Sequence, residues 1–338
     1  MSVKGYKAYE KGMICRGKQY EENTTYEESG NEICESGVMH FCKDPFDVLN
    51  YYPLVDEDGN ISEFSEVEAF GDVYEKEDKS ATNKLHIGLK LGLKGFIKAC
   101  VDFTIENTKF SLDESSSNKN DNQERNAKIG SSGYSAQIGS SGDYAKIGSS
   151  GDSAQIGSSG DSAQIGSSGD SAQIGSSGYS AQIGSSGDYA KIGSSGDSAQ
   201  IGSSGYSAKI GSSRDSAQIG SSGDSAQIGS SGDSAQIGSS GDSAQIGSSG
   251  DYAKIGSSGD YAKIESEGKC SVIMAAGINS VAKAKIGSWI TLAEWKRKNE
   301  NDNFYLIPVC VKTEYVDGEK IKEDTFYQLK NGEFVEFE

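Results

Sequence analysis

The sequence predicts a mainly β fold: a two-sided β-solenoid of nine-residue half-coils, 18 residues to the coil, between a small α+β N-terminal domain and a small C-terminal α+β or β domain. Three observations carry this expectation. Isoleucine recurs at every ninth position from Ile129 to Ile264. The stretch Asp-Ser-Ala-Gln-Ile alternates polar and apolar residues, which is the period of a strand with one buried face. Each unit also holds Gly-Ser-Ser-Gly, in which glycine supplies backbone freedom and serine hydroxyls bond the local backbone.

Taken in chain order, residues 1–110 have mixed composition and predict an α+β domain that caps the solenoid. Within it, "DPFDVLNYY" predicts a short helix capped by Asp44 with Pro45 as its first residue. Residues 111–126, including "LDESSSNKNDNQERN", predict a polar linker. Residues 127–285 form the repeat, with degenerate end coils after Ile264. One strand and one turn make half a coil, so two units close a coil that hydrogen-bonds to the next about 4.8 Å away. The full repeat gives seven to eight such coils. Alanine and isoleucine fall on the buried face, while serine and glutamine face out. Residues 286–338 predict the C-terminal domain, with a strand in "GSWITLAEWK" and a hairpin turning at Asp317 and Gly318.

A helical repeat is disfavoured by two glycines in every nine residues, each costing about 1 kcal/mol in a helix. The net charge of −18 argues against nucleic acid or an anionic membrane as partner. No segment has the length and hydropathy of a signal peptide or membrane span. The expected location is therefore the cytoplasm, or outside the cell after release without a signal peptide. Six scattered cysteines, none inside the repeats, read as reduced thiols.

Variation within the repeat picks out candidate surface residues. Tyrosine replaces the serine before alanine at Tyr144, Tyr189, Tyr252 and Tyr261, and each is followed two residues later by lysine: Lys146, Lys191, Lys254 and Lys263. On a strand, residues two apart share a face, so each Tyr–Lys pair is expected side by side on the outside, as a binding surface for a protein or glycan. The aspartates, among them Asp143, Asp152, Asp161, Asp170 and Asp188, would stack in columns where like charges repel. Either hydrogen bonds from turn N–H groups or bound Ca²⁺ would relieve that repulsion.

"GSSGDSAQI" resembles the nine-residue calcium-binding repeats of bacterial toxins and adhesins, and the calcium-loaded solenoid of a bacterial ice-binding adhesin. That resemblance implies calcium at the five aspartates just named; otherwise no cofactor is expected. "GINSVAKAKIG" resembles the β-roll heads of trimeric autotransporter adhesins. Outside the repeat, "KAYEKGMICRGKQYE", "CESGVMHFCKDPFDVLNYY", "GSWITLAEW" and "VDGEKIKEDTFYQLKNGEFVE" are similar to an uncharacterised family of bacteria and their phages, which implies no catalytic residues. Two chemical alternatives concern the N-terminal domain. Cys15, Cys34, His40 and Cys42 offer ligand types for Zn²⁺, although not at a recognised spacing. "CRG" and "EVEAFGDVY" loosely resemble ADP-ribosyltransferase-like domains. That resemblance implies NAD contacts at Arg16, a nicotinamide frame at His40 or Tyr52, and a ribose-polarising Glu66 or Glu68. The leading expectation is a non-enzymatic protein whose rod serves as a spacer or a repetitive binding surface.

Overall fold

A computed structural model describes residues 2–30, 37–54, 62–76, 78–108, 119–122, 124–300 and 303–337. The chain divides into two compact units, Met1–Phe103 and Thr104–Glu338.

The first unit is built on an antiparallel sheet of four strands. In spatial order these are β1 (Val3–Tyr9), β6 (Glu63–Ala69), β9 (Lys84–Leu91) and β4 (Thr24–Glu27). A second small sheet joins β5 (Met39–Phe41), β8 (Lys79–Thr82) and β7 (Val73–Lys76). Between β1 and β4 lies a hairpin of β2 (Ile14–Cys15) and β3 (Lys18–Gln19). Helix α1 (Leu93–Thr108) follows β9. Its Leu93, Phe96, Ile97, Cys100 and Val101 are buried, at the spacing of one helical face. Phe96 stacks on Phe64 of β6 with ring centres 3.7 Å apart. A further core cluster gathers Tyr9, Tyr20, Phe41, Leu85 and Ile87. The short helix expected after Asp44 is present as a 3-10 helix, Pro45–Asn50, and the Asp44 side chain accepts the Phe46 N–H.

The second unit is the solenoid, about nine turns over residues 128–292. Its strands lie in two parallel sheets, and each residue pairs with its equivalent one full coil later, as in Ile147↔Ile165 and Ile165↔Ile183. Alternate units feed alternate sheets. Isoleucine and alanine fill the space between the sheets and from Ile138 to Ile264 are essentially inaccessible, for example Ala190 and Ile192 at 0 %.

The phase of strand and turn differs from expectation. The strand is Gln-Ile-Gly-Ser (or Lys-Ile-Gly-Ser), and the corner is Ser-Gly-Asp-Ser-Ala. In many corners the left-handed residue is not glycine but the Ser or Tyr before alanine, with φ of 58° at Ser216 and 59° at Tyr252. In most coils the corner glycine is favoured for a different reason. A Cβ on Gly223 would stand 1.8 Å from the carbonyl oxygen of Gly205, one coil earlier. Arg214 occupies one position of this column, where the neighbouring coils carry Gly196 and Gly232. The first serine of nearly every unit is buried, and in several units of the N-terminal half of the rod its hydroxyl accepts the N–H of the corner glycine, at 3.3 Å for Ser149 and Gly151.

Both ends of the solenoid extend past the recognisable repeat, which is why it exceeds the expected seven to eight coils. Part of the expected polar linker, Lys119–Asn122, forms a strand paired with Gln137–Ser140; residues 109–118 and 123 lie outside the described residues. At the other end, Val272–Ala275 pairs with the start of Trp289–Glu300, which turns back antiparallel on Asn303–Tyr315. The other sheet ends on Tyr327–Lys330 and Glu333–Glu336. The expected strand in "GSWITLAEWK" is present, but Asp317 and Gly318 do not join a hairpin. Asp317 instead accepts the N–H groups of Glu319, Lys320 and Ile321 within a loop. The hairpin turn of this region is Asn331–Gly332, with φ of 53° and 74°.

Candidate functional site

The two sheets of the solenoid are not equivalent outside. In one, the strand glycine is buried, as in Gln173–Ser176; in the other it is exposed, as in Gln182–Ser185. The exposed face carries a row of glutamines, Gln164 through Gln236, beside a row of glycines with no side chain above them. The result is an open trough of about 1340 Å³ running along the rod. Lys146 and Lys254 stand toward its ends, with Val272 and Met274 beyond the second. A Cβ at Gly184, Gly202 or Gly220 would meet nothing within 4 Å, so the floor of the trough is unfilled space rather than a close contact.

The Tyr–Lys pairs do not lie as expected. Tyr144, Tyr252 and Tyr261 occupy corners in left-handed conformation, while each lysine opens the following strand, so a pair does not share a strand face. Lys146 and Lys254 belong to the trough sheet; Lys191 and Lys263 belong to the other. Tyr189 is likewise an exposed corner residue. The Tyr144 ring is met by Arg125, whose guanidinium carbon lies 5.2 Å from its centre.

Many aspartates are engaged by backbone. The N–H of Asp161 donates to Asp143, that of Tyr179 to Asp161, and that of Tyr206 to Asp188, at 3.1, 3.0 and 3.3 Å. The same link recurs down the rod from Asp215 to Asp233 to Asp251 and on to Lys269, each about one coil apart. An N–H donor on each carboxylate offsets part of the repulsion along the column. Asp152 and Asp170 stand exposed in corners of the edge that holds Asp188. Among the described residues, no three His, Cys, Asp or Glu side chains converge as a metal group.

The first unit holds a smaller and chemically denser site, a pocket of about 150 Å³. It forms where the β2–β3 hairpin, β1, β5 and the 3-10 helix meet. Arg16 and Gly17 make the two-residue hairpin turn, both left-handed with φ of 52° and 77°, and this places Cys15 at the end of β2. Lys7 of β1 points into the same space and is 4 % exposed. Its Nζ donates to the His40 carbonyl at 2.9 Å and to Cys15 Sγ at 3.3 Å. The Tyr52 hydroxyl donates to the same sulfur at 3.2 Å. Burial holds the Lys7 ammonium below its ordinary pKa, and the neighbouring Cys15 pulls the other way. Burial also raises Tyr52, which keeps its proton and remains a donor. Cys42, buried in the same pocket, is pushed up to about 12 by burial and by Asp47 and Asp78.

The structure thus brings Arg16, His40 and Tyr52 to one pocket and leaves out Glu66 and Glu68, which lie on β6 and do not line it. Of the four zinc-type residues, Cys15, His40 and Cys42 line this pocket, while Cys34 lies outside the described residues. Lys7 is the functional-type residue that sequence reasoning passed over. Its one signal is position: it shares a strand parity with Gly5 and Tyr9, both buried.

The fold therefore defines a β-solenoid chain with a separate β-rich N-terminal unit. Residues 3–99, which make up most of that unit, match the family described as Domain of unknown function (DUF7666). No curated protein and no solved structure matches the chain.

Proposed function

We propose that the solenoid is a non-enzymatic rod that acts as a spacer and as a repetitive binding surface, with the trough as the face that a partner occupies. The observation that supports this reading is the unbroken in-register stacking. Each coil sets the same glutamine and the same bare glycine beside those of the next, about 4.8 Å away. A partner with its own linear repeat, an extended protein segment or a glycan, meets the same contacts at every step. Affinity then grows with the number of coils engaged.

The test fills the trough. Lysine at Gly184, Gly202 and Gly220 has space in the fold and closes the face. On this reading the triple variant stays folded and loses the proteins or glycans retained by the wild type. Removal of one 18-residue coil shortens the rod by about 4.8 Å and keeps them. Removal of nine residues hands every later strand to the opposite sheet and loses them. Unchanged retention by the filled variant would sink the trough reading, and loss on removal of one whole coil would sink the spacer reading.

A further inference from the structure

We propose that Cys15 is the reactive centre of a thiol–disulfide exchange site, and that its pocket accepts small disulfides bearing a carboxylate. Three features of the geometry support this independently of the rod. The sulfur is half-buried at the wall of a cavity and receives two hydrogen bonds, one from the Lys7 ammonium and one from the Tyr52 hydroxyl. Both bonds strengthen when the sulfur carries negative charge, as it does in the attacking state. The pocket is also lined by basic side chains: Lys7, Arg16 and Lys79 line it, and among the described residues no Asp or Glu does, with Asp78 accepting the hydroxyl of Tyr51 at its wall. In a chain of net charge −18 that is a local concentration of basic side chains, and the exposed Arg16 at its rim is suited to an anionic ligand. Third, at about 150 Å³ the cavity is smaller than the roughly 300 Å³ at which pockets for whole drug-sized ligands begin. It takes one half of a small disulfide and leaves the other half outside, where a leaving thiolate departs into water.

The step balances without a further reactant. Cys15 loses its thiol proton to solvent, and its sulfur attacks one sulfur of the disulfide RS–SR. The RS–SR bond breaks as the Cys15–SR bond forms, and RS⁻ leaves with the electron pair. Cys15 is oxidised to the mixed disulfide, and one ligand sulfur is reduced to thiolate. A second thiol reverses the exchange by the same route. Cys42 provides the internal contrast. It lines the same pocket, but its burial and the nearby Asp47 and Asp78 oppose the thiolate, so it stays protonated and inert.

The full-length chain is treated at neutral pH with 5,5′-dithiobis(2-nitrobenzoate), an anionic disulfide, and in parallel with cystamine, a cationic one; each site is assigned by peptide mass. Net charge alone favours cystamine, which makes the comparison decisive. The expected result is that the anionic reagent labels Cys15 at least about tenfold faster than the exposed Cys270, leaves Cys42 unlabelled, and loses its fast phase in Cys15→Ser. Tyr52→Phe slows both reagents by about tenfold. Arg16→Asn, which tolerates the left-handed turn, lowers the rate with the anionic reagent and spares the rate with cystamine. A Cys15 rate at or below that of Cys270 overturns the proposal. So does a Cys15 that reacts faster with cystamine, or an Arg16→Asn variant whose two rates fall together. Because Arg16 is exposed, its replacement reads the pocket's charge without disturbing the core.

Discussion

Replacing one isoleucine at the middle of the rod tests what holds the coils together. Ile192 is wholly buried and pairs in register with Ile174 on one side and Ile210 on the other. Ile192→Ala removes three carbons, about 2.4 kcal/mol of transfer free energy at roughly 0.8 per buried carbon. The void cannot close, because the flanking isoleucines are held at strand spacing by their own ladders; a residual cavity adds roughly 1 kcal/mol. The expected loss is therefore about 3–4 kcal/mol. Ile129, in the first recognisable unit, is only partly buried against the same core, and Ile129→Ala should cost about 1 kcal/mol. Urea unfolding followed by far-ultraviolet circular dichroism, with both variants beside the wild type, supplies the comparison. Equal losses at the two positions, or a loss at Ile192 below about 1.5 kcal/mol, would refute the idea that stacked isoleucines carry the rod's stability.

Two further outcomes follow from single side chains. Gly223→Ala should destabilise by about 1–3 kcal/mol, because its Cβ meets the backbone carbonyl of Gly205, whereas Gly220→Ala, three residues earlier, has open space and should be neutral or stabilising in the same melt. Stability should also depend on pH through Glu265, which faces Lys283 at 2.8 Å, with Glu267 and Asp324 nearby. Burial raises Glu265 from 4.5 to about 7, so across that interval the folded chain keeps a proton that the unfolded chain has lost. Its contribution is complete below pH 4.5 and falls as pH rises to 7, by up to about 3 kcal/mol. Thermal melts at pH 5 and pH 7 should show that fall in the wild type, and a smaller one in Glu265→Gln.

The solenoid was legible because its core is written with one period. Isoleucine and alanine inside, glutamine outside, and 18 residues per coil all follow from alternation and recurrence. The phase of the corner was not legible. Glycine attracts the turn assignment, yet the left-handed conformation belongs in many units to Ser or Tyr, and the glycine answers to a carbonyl one coil away that no local pattern displays. The number of coils was short for a related reason. At the ends, Asn120, Ala282 and Ile290 stand in register with the isoleucine column, and pairing continues where the repeat's identity has lapsed. At the C-terminus two Gly-containing turns competed. The Asp317 carboxylate collects three N–H groups and makes a loop, while Asn331–Gly332 makes the hairpin. In the first unit, Arg16, His40 and Tyr52 were named through a resemblance, and the structure does place them together. Lys7 was passed over because a lysine in a short strand reads as solvent-exposed unless something shows what it donates to.

The sameness of the coils has a consequence for how the chain finds its fold. A strand such as Gln200–Ser203 pairs with Gln182–Ser185, one coil back, and would find the same sequence in Gln164–Ser167, two coils back. The interior therefore holds almost no information about which coil follows which, and a chain that skips a coil loses little contact energy locally. What distinguishes the correct count is the sequence at the ends, where Val272, Met274 and Trp289 replace the repeated residues and antiparallel strands accept only one neighbour. The degenerate coils are thus the address from which the uniform ones are counted. A chain that nucleates at a degenerate end coil would count the uniform ones from a fixed point, whereas nucleation within the rod would have no such reference.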